Sequence, residues 1–79
     1  MKTKVTVKLK KGVLDPQGKA VLHAAHSMGL TEIDEIRVGK VFEIEWQGGD
    51  GAVAQEKLAR LADKLLANTV IEDFKVEIL

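Results

Sequence analysis

Ser27 is the only serine in the chain, and it stands four residues after His23. On a helix that spacing puts a hydroxyl one turn from an imidazole, the first requirement of a hydroxyl nucleophile activated by a base. A working triad also needs a third group to orient the imidazole and donors for an oxyanion, and no residue pattern supplies either. The absence of cysteine removes thiol nucleophiles, thiolate metal ligands and disulfides together. His23 and His26 can share a helix flank, but a metal site takes three or four ligands, and no acidic or thiol partner stands at a suitable spacing. They read as partly exposed helix histidines. Gly48-Gly49-Asp50-Gly51 has the glycine content of a phosphate-cradling loop, and a helix start attracts anions. It lacks the Gly-Lys-Ser/Thr ending of a P-loop, so it reads as a strand-to-helix turn capped by Asp50. No residue is assigned a catalytic role and no metal site is assigned.

Charge narrows the partners. Lys2, Lys4, Lys8, Lys10 and Lys11 form a basic stripe, which reads as a solvated strand face or as edge protection, with phosphate or an acidic partner as the other reading. Over the whole chain 12 Lys and Arg balance 12 Asp and Glu, and aromatics are 4%. That balance gives no general attraction to nucleic acid or anionic membrane, and so few aromatics make no base-stacking platform. No apolar run approaches the ~18 residues of a membrane helix, and the N-terminus alternates apolar and polar residues where a signal peptide is continuously apolar. The expected location is cytoplasmic.

The elements that must position these residues follow from periodicity. Residues 3–10 alternate, with Val5, Val7 and Leu9 on one face and lysines and Thr6 on the other, as in a half-buried strand. Asp15-Pro16 opens a helix: the carboxylate can accept orphan amides, and proline at the first position forfeits no hydrogen bond. Ala20, Val21, Ala24, Ala25 and Met28 form its apolar stripe, and Gly29 ends it. Ile36, Val38, Phe42, Ile44 and Trp46 share the even phase. A tight hairpin at Gly39-Lys40 would turn Glu43 inward and Phe42, Ile44 and Trp46 outward. One continuous strand over 35–46, bent or bulged at Gly39, keeps all five on one face and spans about 40 Å. A second helix is expected over about 52–66, burying Ala54, Leu58, Leu61, Ala62 and Leu65, with Glu56 and Arg60 paired on its surface. Residues 72–78 form the last strand, with Phe74, Val76 and Ile78 inward. The expectation is one domain over 1–79. Its fold is an α+β two-layer sandwich of β-α-β-α-β order, with an antiparallel sheet, one long central strand and two helices on one face. The far end of the long strand, with Trp46, should overhang the sheet and need cover.

Two features fit this frame poorly. Lys40 shares the phase of five large apolar residues. Either a bulge turns it to solvent, or it is held at an interface opposite a carboxylate or phosphate. Val70 and Ile71 lie in a connection that should be polar, either sealing the core or touching a partner, and Glu72 and Asp73 follow as an acidic pair.

Three blocks, Leu14-Asp15-Pro16-Gln17-Gly18, Arg37-Val38-Gly39-Lys40 and Leu65 through Phe74, occur in an order and spacing that resemble the PurS family. Its members are small subunits of phosphoribosylformylglycinamidine synthase. The resemblance covers nearly the whole chain. It implies assembly with a PurL-type synthase subunit and a PurQ-type glutaminase subunit. Together they convert formylglycinamide ribonucleotide, glutamine and ATP to formylglycinamidine ribonucleotide, glutamate, ADP and phosphate. The small subunit bridges the other two and self-associates; ATP and Mg are used by the complex and no cofactor is held by this chain. Thr69 stands where many members have proline, which leaves that turn less rigid. The chain ends at Leu79, so contacts made elsewhere by a C-terminal extension are expected to be absent. On this reading Asp15, Pro16, Gln17 and Gly18 form a rigid exposed helix start. Arg37, Gly39 and Lys40 sit beside it or at a subunit interface, and Asn68, Glu72 and Asp73 are further contact candidates. The chain would be a homodimer or homotetramer. A small-metabolite-binding regulatory module is the alternative, since two-layer α+β domains often bind metabolites between copies.

Overall fold

The computed structural model describes residues 1–79. Strand β1 is Lys2–Leu9, helix α1 is Pro16–Ser27, strand β2 is Gly39–Glu45, helix α2 is Gly51–Leu61 and strand β3 is Glu72–Ile78. A π-turn, Ala62–Leu66, extends α2. All pairing is antiparallel in the order β2-β1-β3, so the α+β class and the β-α-β-α-β order stand. The central strand is β1, not the second strand. Its alternation makes one face apolar and the other basic. Opposite that basic face the neighbours place acids: Lys2 faces Glu45, Lys4 lies between Glu43 and Glu77, and Lys8 faces Asp73. Lys4 and Glu77 approach to 3.9 Å. Opposite charges across a ladder contribute about 0.2–1 kcal/mol per pair and fix register. The lysine stripe is thus the middle row of a charge-paired sheet face.

The other face carries the core. Val5, Val7 and Ala62 form a buried cluster with Phe42, Ile44, Phe74 and Val76 packed around it, and Ala54 and Leu58 of α2 are buried as well. Small residues at 54 and 62 let the helix axis approach the sheet closely. Thr3 is also buried on this face, and its hydroxyl donates to the Ile44 carbonyl at 2.7 Å, which offsets its polarity. Phe42 and Ile44 therefore lie on the core side, as continuity of phase requires, and Gly39 and Lys40 pair with Lys8 and Val7 without a reversal or a bulge.

The strand is shorter than expected. Its ladder begins with Gly39 opposite Lys8, β1 ends one residue later, and residues 35–37 run past that end. The expected overhang at the other end is covered by the chain itself. The Trp46 amide donates to the Met1 carbonyl at 2.9 Å, and the Met1 ammonium donates to the Trp46 carbonyl at 2.7 Å.

Leu65 was expected inside and is 74% exposed, whereas Leu66 packs against the core. The Ala67 amide bonds to the Ala62 carbonyl, five residues back, which marks the wider turn. A π-turn adds a residue to one revolution and moves the apolar phase on by one position.

Helix α1 is capped as expected by Asp15 and Pro16, and Gly29 follows its end at φ 93°. Its placement differs from two helices side by side on the sheet. It makes no extensive contact with α2 or any strand. Instead α1 pairs with the chain that returns from it: the His26 ring bonds the Ile33 carbonyl at 2.7 Å, and Gly18 lies against the Ile36 carbonyl. Residues 10–38 thus form an arm beside the sheet. The molecule measures 48 × 25 × 14 Å with a radius of gyration of 15.8 Å, against about 12 Å for a compact chain of this length.

Candidate functional site

The arm meets the sheet at one junction, and most of the contact candidates gather there. Asp15 is its centre, with 4% of its surface exposed. The chain arrives from β1 at Asp15, turns into α1 through Pro16, and comes back beside the same point as Val38 enters β2. One carboxylate oxygen accepts the Gly18 amide at 2.8 Å, which caps α1. The other accepts the Val38 amide at 2.7 Å, which ties the returning chain at the root of β2. The Val38 amide, then the Gly18 amide, hold the carboxyl below its ordinary value of 3.8; burial opposes them and the Arg37 charge assists. Arg37 also donates to the Lys10 carbonyl at 3.2 Å, fastening the two chain passages to each other.

Glycine is required at 18 by space. A Cβ there would run into the Ile36 carbonyl oxygen and lie 2.8 Å from Asp15 Oδ2. Gly39 is similarly confined, with Lys8 Cγ at 2.8 Å and the Val7 carbonyl oxygen at 2.9 Å from the position of a Cβ.

On the helix-bearing face of the sheet the junction opens into a groove of about 340 Å³. Val7, Leu9 and Val38 supply its apolar lining, and Asp15, Gln17, Gly39, Lys40 and Glu72 complete it. Lys40 stands in regular strand geometry with its ammonium 5.7 Å from the centroid of the Phe42 ring, a cation–π distance, and it forms no ion pair. It is exposed, so the regular strand, without any bulge, presents a free cation beside an apolar surface. Glu72 is engaged differently: its carboxylate accepts the Asn68 amide at 2.7 Å, and the Asn68 side chain accepts the Val70 amide at 3.2 Å. These bonds build the turn before β3 and leave Val70 82% exposed, so Val70 does not seal the core.

Arg37 and Asp73 are separated from that groove. They line a second concavity of about 510 Å³ on the charge-paired face with Lys8, Lys11, Glu35 and Lys75. Pro16 and Gln17 are exposed at the start of α1, whereas Asp15 and Gly18, expected to be exposed with them, are buried because the returning chain at Ile36 and Val38 closes over them. The structure thus brings Asp15, Gln17, Gly39, Lys40 and Glu72 to one groove and places Arg37 and Asp73 on the reverse side. Sequence reasoning missed the second role of Asp15, the bond to an amide 23 residues away. An Asp-Pro helix start signals a cap and carries no local sign of a distant partner.

The remaining polar groups are structural. The Ser27 hydroxyl donates to the His23 carbonyl at 3.1 Å, not to the imidazole. Asp50 accepts the Ala52 and Val53 amides at 3.0 and 3.2 Å, so the start of α2 has its own cap in place of an anion. No group of three His, Cys, Asp or Glu side chains is arranged to hold a metal ion. No helix is long and apolar enough to cross a membrane.

Known proteins share this architecture. The PurS family model, described as phosphoribosylformylglycinamidine (FGAM) synthase, matches residues 2–79. The PurS subunit of that synthase from Bacillus subtilis is 47% identical over 77 residues, covering 98% of this chain and 90% of the relative. A crystal form of B. subtilis PurS superposes with a TM-score of 0.77, covering 96% of this chain and 94% of that one. PurS from Methanocaldococcus jannaschii, 33% identical, superposes with a TM-score of 0.87 over 96% of this chain and 92% of that one. A chain of PurLQS from Thermotoga maritima, at 24% identity, shares the fold with a TM-score of 0.88, covering 99% and 95%. With the sequence match running from the first strand to the last, the chain belongs to the PurS family of FGAM synthase small subunits.

Proposed function

We propose that this chain is the non-catalytic small subunit of a phosphoribosylformylglycinamidine synthase of de novo purine synthesis, working in the cytoplasm. It assembles with a PurL-type synthase subunit and a PurQ-type glutaminase subunit and bridges the two. Ammonia released from glutamine by one is used by the other to amidate formylglycinamide ribonucleotide at the expense of ATP. ATP and Mg act on the partner subunits. The observation that carries the reading is the family match over residues 2–79. The T. maritima relative in a PurLQS structure supports the choice of partners.

The geometry supports assembly through copies of the chain as well. Nine of 79 residues are buried, a core too small for the length. The arm exposes Leu14, Val21, Met28 and Leu30, apolar side chains that a second copy covers in a homodimer or homotetramer. Pro16, Gln17, Gly39 and Lys40 at the junction, Asn68 and Glu72 at the turn, and Arg37 and Asp73 on the reverse side are the proposed contact residues, with Asp15 and Gly18 buried beneath them and shaping the junction.

Reconstitution tests the reading. PurL-type and PurQ-type subunits mixed with this chain should acquire glutamine-dependent amidation of formylglycinamide ribonucleotide and co-elute with it on size exclusion. Light scattering of the chain alone should give a mass at least twice that of the 8.6 kDa monomer. A monomer that neither co-elutes with the partners nor supports the amidation would exclude the proposal.

A further inference from the structure

We infer that Asp15 is the latch that sets the angle of the α1 arm to the sheet. The inference deepens the assembly reading and rests on it for its biological purpose, because the arm carries the apolar side chains that meet a partner. The geometry stands independently. An arm that packs broadly against nothing must be held by its root. Two chain passages enter the root, at residues 10–15 and 36–38, and three contacts join them: Asp15 to Val38, Arg37 to Lys10, and Gly18 against Ile36.

Among these, Asp15 alone bonds the helix and the incoming strand at once. Its two oxygens accept from Gly18 and Val38 at 2.8 and 2.7 Å. It is buried, so water does not readily replace either bond. Gly18 lets α1 close onto the returning chain, which brings both amides within reach of one carboxylate. The Arg37 bond is exposed and longer, at 3.2 Å, and is exchanged with water at little loss. Arm orientation therefore depends on a single side chain, which acts as a positioning residue.

The absence of native cysteine allows a direct measurement. Ser27→Cys at the tip of α1 and Lys57→Cys on the exposed side of α2 accept spin labels without interference. The labelled full-length chain is diluted into excess unlabelled chain, so that the distance measured by electron–electron double resonance lies within one protomer. The unmodified junction should give one narrow distribution. In Asp15→Asn an amide nitrogen must face one of the two N–H groups, so one bond is lost. The distribution should broaden and shift while sheet amide resonances stay in place, and amide protection should fall roughly tenfold at whichever of Gly18 and Val38 faces the new nitrogen. Gly18→Ala, which keeps the carboxylate and wedges the passages apart, should also displace the arm. It serves as the readout if Asp15→Asn does not fold. A broad distribution in the unmodified chain, or a narrow and unmoved one in a folded variant, would overturn the latch. These distances are read without partner subunits, so they can fail while reconstituted activity succeeds, and the reverse.

Discussion

Gly18→Ala should destabilise this protein, although the same exchange inside an ordinary helix stabilises it. Gly18 lies in the first turn of α1, where alanine is favoured over glycine by up to about 1 kcal/mol. Here the added methyl meets the Ile36 carbonyl oxygen, a backbone atom that cannot rotate away, and also reaches 2.8 Å from Asp15 Oδ2 and 3.0 Å from its Cγ. Restoring ordinary carbon–oxygen contact requires the two chain passages to part by roughly an ångström, in a junction where overpacking costs about 1–3 kcal/mol. The net expectation is a loss of about 1–2 kcal/mol, or about 5–15 °C in melting temperature for a chain this small. Thermal unfolding followed by far-ultraviolet circular dichroism, at fixed protein concentration, reads the shift. Gly51→Ala is the matched control. It begins α2, and a Cβ there meets only a methyl of Ile78 at 3.8 Å, an ordinary contact, so its melting temperature should hold or rise. A Gly18→Ala chain as stable as the parent would refute the argument that close approach dictates glycine at this position.

The π-turn and the capping carboxylate make two further predictions. Leu65→Ala should change stability by less than about 0.5 kcal/mol and Leu58→Ala should lose about 2–5 kcal/mol, with Leu66→Ala between them; equal losses at 65 and 66 in denaturant titrations would argue for an unbroken α-helix. Asp15 has a carboxyl held below 3.8 in the folded chain, so its stabilisation is complete above that value and is lost as pH falls through the lower folded value. The difference in melting temperature between the parent and Asp15→Asn should therefore be constant near neutrality and shrink below about pH 4; a difference that grows on acidification would reverse the assigned sign.

Much of the fold was legible because burial imposes a phase. Val5 and Val7, Phe42 and Ile44, and Phe74 and Val76 lie on the core face because a one-residue slip would turn the whole set outward. The caps at Asp15 and Asp50 were legible because helix starts need acceptors within three residues. Three features were not. The start of β2 at Gly39 is dictated by where β1 ends, which a pattern of even-numbered apolar residues does not contain. The exposure of Leu65 depends on a wider helical turn that periodicity at 3.6 assumes away. The double duty of Asp15 depends on an amide 23 residues on, and only the folded chain brings it near. The candidate site was thus legible as residue types, while its grouping into a groove face and a reverse face was not.

The exposed arm also limits what an interface must contain. Leu14, Val21, Met28 and Leu30 retain 64%, 45%, 78% and 46% of their surface in the isolated chain. Full burial of such a side chain contributes about 1.5–3 kcal/mol, so covering what remains exposed on all four gains about 4–7 kcal/mol. Association itself costs about 4–15 kcal/mol in lost freedom before any net affinity appears. In a two-fold homodimer both arms are covered and the gain doubles to about 7–14 kcal/mol, which only matches that cost, so further surface covered with the arm is what leaves net affinity. One unmatched surface is the groove at the root of the arm, where Lys40 presents a cation above Phe42 and Val7, Leu9 and Val38 supply apolar lining. A partner that engages the arm and this groove together would be sensitive to the angle between them. That sensitivity gives a physical reason for fixing the angle with a buried carboxylate bonded on both sides.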